Sequence, residues 1–141
     1  MLKIFRTGKL NLDLLQETVE NMVSKHGKVS LFLSDGIMLP PGHVLRKFPM
    51  EQVFVTRILT SHQLLRVLME MNSTAYYICM NSKIMDDWKL STIDSIYDVL
   101  RIRAISNHCD IAMNVVGDYS PIFSMATNSH DPAYGKIGEV A

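Results

Sequence analysis

Apolar and polar residues alternate from Leu2 to Arg6, which predicts a short first strand ended by a turn at Gly8. The pattern then changes period. Leu12, Leu15, Val19, Met22 and Val23 recur at helical spacing, so they form one stripe on an amphipathic helix. Asn11 stands at its N-cap, Asp13 lies in the first turn where a carboxylate suits the helix dipole, and Lys25, His26 and Gly27 make a cationic last turn and a stop. In the next segment, Lys28 to Ser34, Val29, Leu31, Phe32 and Leu33 are nearly continuous, as in a strand covered on both faces.

Residues 53–60 are rich in β-branched and aromatic types and predict a third strand. Ser61 is placed to cap a second helix with Leu64, Leu65, Leu68 and Met71 on its apolar face and Arg66 and Glu70 four apart on another. Thr74 to Met80 reads as a fourth strand. Ser91 and Asp94 resemble a capping box for a third helix, whose face is Ile93, Ile96, Tyr97 and Leu100. Residues 108–116 show a clean alternation, with Cys109, Ile111, Met113 and Val115 at odd positions and His108, Asp110 and Asn114 at even ones.

This order of elements predicts a single α/β or α+β domain with a mixed sheet of about five strands and about three helices. Its first six elements match the split βαβ, ferredoxin-like order, to which the last helix and strand would add an edge strand. A doubly wound sheet is the alternative, weakened by the lack of a glycine-rich turn after the first strand. The core is expected over 1–116, interrupted by an irregular loop at 35–52 where Pro40, Pro41, Pro49, Gly36 and Gly42 deny regular structure. Residues 117–141 read as an irregular arm.

Composition narrows the classes of function. The chain has 141 residues, 48% of them hydrophobic, with 14 basic and 14 acidic side chains, so it can bury a core and carries no net charge to draw it to nucleic acid or an anionic membrane. No apolar run approaches the roughly 20 residues of a membrane span. The N-terminal Lys3 and Arg6 interrupt any signal-like core, and Cys79 and Cys109 lack the paired spacing of zinc or dithiol sites. A cytoplasmic protein with reduced, buried thiols is expected.

The stretch Ser106 to Asp110 sets His108, Cys109 and Asp110 side by side, the residue types of a nucleophilic site. In a strand they cannot cooperate, because Cys109 faces the core while His108 and Asp110 face away from it. The P-loop, the dinucleotide glycine fingerprint, the two-histidine zinc helix and the serine elbow are missing. Asp86 and Asp87 before Trp88 read as a solvated turn, and nothing in the sequence calls for a cofactor or metal.

The remaining candidate is the loop 35–52, which combines apolar residues with His43, Arg46 and Lys47; Arg57 on the following strand lies close enough to join them. Cationic side chains beside flexible backbone amides suit phosphate or carboxylate. The expected function is a small non-enzymatic binding module that holds an anionic small molecule such as a nucleotide, or a protein partner, through His43, Arg46, Lys47 and Arg57. Apolar and aromatic residues in the loop and arm beyond the needs of one small core point to a homo-oligomer. The alternative is a small hydrolase or phosphodiesterase, with His108 or His43 as general base and Asp110 or Asp35 as its orienter.

Overall fold

The computed structural model describes residues 1–39, 52–70, 72–117 and the backbone of 138–140. Its elements in chain order are β1 (Leu2–Thr7), α1 (Leu12–His26), β2 (Val29–Ser34), β3 (Val53–Ile58), α2 (Ser61–Glu70), β4 (Ala75–Asn81), α3 (Ser82–Met85), α4 (Leu90–Ser106), β5 (Asp110–Val116) and β6 (Gly138–Val140). The strands form one sheet in the order β3-β2-β4-β5-β1-β6, and every pairing is parallel. The domain is α/β.

Local chemistry accounts for α1. Asn11 Oδ1 accepts from the Leu14 N–H at 3.0 Å, and Gly27 takes φ +78° while its N–H closes on the Val23 carbonyl at 2.8 Å. Both orphaned ends are thereby satisfied. The second helix is capped one residue earlier than expected, by Thr60 Oγ1 accepting from the Gln63 N–H at 3.1 Å. The expected capping box on α4 is replaced by Lys89 at the N-cap with no side-chain bond, so Ser91 and Asp94 already lie inside the helix.

The mixed, ferredoxin-like sheet is corrected to an all-parallel one with helices on both faces. Handedness explains the arrangement. The crossover from β1 to β2 travels one way along the sheet, whereas those from β3 to β4 and from β4 to β5 travel the other way, and right-handed connections then place their helices on opposite faces. Accordingly Leu15, Val19 and Met22 of α1 pack with Leu31, Leu33, Tyr77 and Ala112, while Leu64 and Leu68 of α2 and Ile93, Ile96 and Leu100 of α4 pack with Phe32, Ile78, Met113 and Val115.

The position of β5 is also corrected. It pairs with β4 and β1, in the interior of the sheet, not at an edge. Its odd residues do join the α2/α4 core, but its even residues Ala112 and Asn114 are buried beneath α1 and do not face solvent. No helix among the described residues is long and apolar enough to cross a membrane.

Candidate functional site

Opposite crossover directions leave an opening in a parallel sheet where neighbouring strands send the chain to different faces. Here β1 leads to α1 and β4 leads through α3 to α4, with β5 between them. At the carboxyl ends of these three strands lies a crevice of about 400 Å³ lined by Gly8, Asn81, Ser82, Lys83, Asp86, Val116 and Gly117. That volume suits a small ligand.

Close backbone approaches hold the crevice in shape. The Asn81 N–H donates to Ser34 Oγ at 2.7 Å, and Asn81 Oδ1 accepts from the Lys83 N–H at 3.0 Å, which starts the single turn of α3. Gly36 sits at φ +83° beneath the Asn81 amide, whose nitrogen is 2.8 Å from the place a Cβ would take. Gly117 donates to the Thr7 carbonyl at 2.9 Å, and its own carbonyl accepts from Arg6 Nη1 at 2.9 Å. The end of β2 is thus bonded to that of β4, and the end of β1 to that of β5.

The crevice wall is polar on one side and open at another. Lys83 and Asp86 are exposed, three residues apart on one turn, with the Asp86 N–H closing on the Lys83 carbonyl. Nothing lies within 4 Å of where a Gly8 Cβ would stand, so backbone rather than side chain meets the opening there. Asn81, Ser82, Lys83 and Asp86 therefore border the same space.

Beneath the crevice, three polar side chains cross the sheet under α1. Thr7 Oγ1 donates to Asn114 Oδ1 at 3.0 Å, and both residues are fully buried. The Tyr77 hydroxyl lies beside Asn114; burial pushes its ionisation well above the usual tyrosine range, the Cys79 thiol adds to this, and Asn114 opposes it in part. Burial likewise pushes the Cys79 thiol up to about 12. The Tyr77 hydroxyl and the Cys79 thiol therefore stay neutral, and the Thr7–Asn114 bond ties β1 to β5.

Of the residues expected at the site, His43, Arg46 and Lys47 lie outside the described residues. Arg57 projects from the end strand β3 and donates through Nη1 to the Ser34 carbonyl at 3.2 Å and to the Ile37 carbonyl, which fastens the exit of β2. It does not line the crevice, although Ser34 connects the two through Asn81.

The grouping of His108, Cys109 and Asp110 comes apart as expected. Cys109 is buried in the α2/α4 core, with Sγ donating to the Ser73 carbonyl at 3.3 Å, and burial raises its thiol pKa despite the nearby Arg103 and terminal amine. His108 is exposed in a left-handed turn at φ 53°. Asp110 turns to α1 instead, 2.8 Å from Lys25 Nζ and 2.7 Å from His26 Nε2, and accepts from the Met1 amine at 3.0 Å. All of this lies at the amino ends of the strands, across the sheet from the crevice. No cluster of three metal-ligating side chains occurs among the described residues.

Asn81, Ser82 and Lys83 were not singled out by the sequence pattern, and Asp86 was read only as part of a solvated turn. A polar run directly after a buried strand, entering a helix in an α/β chain, was the available signal. No protein-family model matches the chain, and no curated protein matches it.

Proposed function

We propose that this protein is a non-enzymatic binding module for an anionic small molecule, and that the ligand sits in the crevice at the carboxyl ends of β1, β4 and β5. The supporting observation is that Lys83 and Ser82 line one opening of about 400 Å³ together with Gly8 and Gly117. An ammonium and a hydroxyl are donors of the kind that match phosphate and carboxylate. The basic loop residues His43, Arg46 and Lys47 enter this reading because their segment leaves β2 at Asp35 and Gly36, beside Asn81 of the crevice. Arg57 contributes by holding that exit in place.

A catalytic reading with His108 as base has less support, since His108 is exposed at the amino ends of the strands and does not line the crevice. The cytoplasm is the proposed compartment, in keeping with two free, buried thiols. Self-association is part of the proposal: Phe54 and Val55 on the terminal strand β3, and Met69, Ile102 and Ile105 on α2 and α4, are large apolar residues left exposed.

Titration calorimetry with inorganic phosphate, pyrophosphate and nucleoside phosphates tests the binding reading. Lys83→Ala should weaken binding by about 1.5–3 kcal/mol, the range for hydrogen bonds to charged groups, and salt should weaken it further. Arg46→Ala should act in the same direction, while His108→Ala should leave binding unchanged. Wild-type affinity in Lys83→Ala, or loss of function in His108→Ala alone, overturns the proposal. Light scattering that gives a 16 kDa particle at micromolar concentration removes self-association.

A further inference from the structure

At β3 the sheet ends openly, since no strand among the described residues lies along its outer side. The Gln52 and Ile58 carbonyls accept from the Val29 and Asp35 N–H groups, so the even residues of this segment turn their backbone toward β2. In a parallel pair the intervening residues turn the other way, which leaves the N–H and C=O of Val53, Val55 and Arg57 on the outer edge. Only the Arg57 carbonyl has company there, accepting from Gln63 Nε2 at 3.5 Å with a second lone pair to spare. Edge strands are commonly blunted by charge, proline or a bulge. β3 keeps unbroken register with β2 and contains no proline, and its single charge, Arg57, is committed to the Ser34 and Ile37 carbonyls of its own chain.

The side chains call for an occupant in the plane of the sheet. Ile58 belongs to the α2/α4 core and Val53 to the α1 core, so alternation places Phe54 on the first face and Val55 on the second, each 45% exposed. A helix laid on either face would cover one of them, whereas a strand alongside covers both. We infer that β3 pairs antiparallel with β3 of a second copy about a two-fold axis at Val55, so that one sheet runs through both protomers. The register is self-complementary: Val55 meets its own mate through reciprocal backbone bonds, Val53 opposes the partner's Arg57, and Phe54 packs beside the partner's Thr56. The two Arg57 residues then stand about 13 Å apart along the strands, beyond the screening length of about 8 Å at physiological salt. A chain with 14 basic and 14 acidic side chains has no net charge to hold two copies apart. Edge pairing rests on the self-association proposed above and names β3 as the surface that carries it.

Val55→Cys provides the direct test. Opposed residues of a hydrogen-bonded antiparallel pair stand about 5.5 Å apart at Cα, within disulfide reach. The native Cys79 and Cys109 are buried and do not compete. On mild oxidation Val55→Cys should run as a covalent dimer on a non-reducing gel, while Leu59→Cys, exposed just past the strand, should not. Light scattering at micromolar concentration should give a dimer for wild type. Val55→Lys and Val55→Glu, shown to fold by circular dichroism, should each raise the dimer dissociation constant at least a hundredfold, and an equimolar mixture of the two should dimerise again because opposite charges meet at the axis. A Val55→Lys protein that stays dimeric, or a dimeric Val55→Cys protein that does not cross-link, overturns edge pairing and leaves self-association to the exposed residues of α2 and α4. A monomeric wild type overturns both.

Discussion

Gly117 and Ser82 meet so closely that no side chain fits between them: a Cβ on Gly117 would stand 1.9 Å from Ser82 Oγ and 2.8 Å from Ser82 Cβ. The end of β5 is thereby seated against the first residue of α3, and Gly117 reaches it at φ +134°, a conformation that L side chains rarely adopt. Gly117→Ala should cost about 2–4 kcal/mol, combining backbone strain with overpacking, as read from denaturant midpoints. Adding Ser82→Gly should restore the steric part and leave the strain. If the second substitution restores nothing, the contact is not the cause.

Arg57 acts on the same end of the sheet from a distance. Arg57→Ala removes the donors to the Ser34 and Ile37 carbonyls, so amide hydrogen exchange at Asp35 to Ile37 should accelerate while that of β4 stays slow. Arg57→Lys should recover only part, since an ammonium cannot reproduce the guanidinium fork. Equal protection in wild type and Arg57→Ala would show that the residue holds nothing.

Cys109 should behave as core. Native protein should react slowly with a thiol reagent at this position, because the thiol is buried and its pKa raised by that burial. Cys109→Ala should cost about 1–2 kcal/mol through a small cavity and leave ligand binding intact. Rapid native labelling at Cys109 would contradict its burial.

The Asp110 cluster predicts a pH dependence. Burial raises the carboxyl pKa, but hydrogen bonds from Lys25, His26 and the Met1 amine outweigh it and leave the group well below the usual carboxylate range. A carboxylate depressed in the folded state stabilises the protein above its unfolded pKa of about 4, and this stabilisation is lost as the pH falls below that value. Asp110→Asn should therefore be about 1–2 kcal/mol less stable than wild type near neutral pH, and the gap should narrow steadily in acid. A gap independent of pH would assign the cost to shape rather than charge.

Local periodicity made individual elements legible where a single segment contains all the necessary information. For α1, the cap at Asn11, the stripe through Leu15, Val19 and Met22, and the stop at Gly27 all lie within one stretch. Strand direction is not local. A βαββαβ order fits an antiparallel hairpin or a parallel crossover between β2 and β3, and the clue was the length of 35–52, since a parallel return needs a dozen residues or more.

Residue 114 shows the other limit. An asparagine at an even position of an alternating strand reads as solvated, because its partner Thr7 is distant in sequence and invisible to any window. The small Ala112 beside it was the sign that this face is covered, by Tyr77 and α1. The crevice escaped for a related reason: Gly8, Asn81 and Gly117 become neighbours only once β1, β4 and β5 are aligned. None of them is distinctive alone.

The buried Thr7–Asn114 bond also carries a consequence for synthesis. β1 leaves the ribosome well ahead of β5, its partner in the interior of the sheet at Asp110–Val116, so Leu2 and Ile4 find their neighbours Ile111 and Met113 only after the elements between them have emerged. Pairings of such separation close late and slowly. Until then the nascent chain exposes an apolar first strand to whatever chaperone or stray sheet edge it meets. Pairing of β1 with β5 also brings Gly8 to the crevice. A nascent chain therefore forms the crevice only on bringing β1, β4 and β5 together.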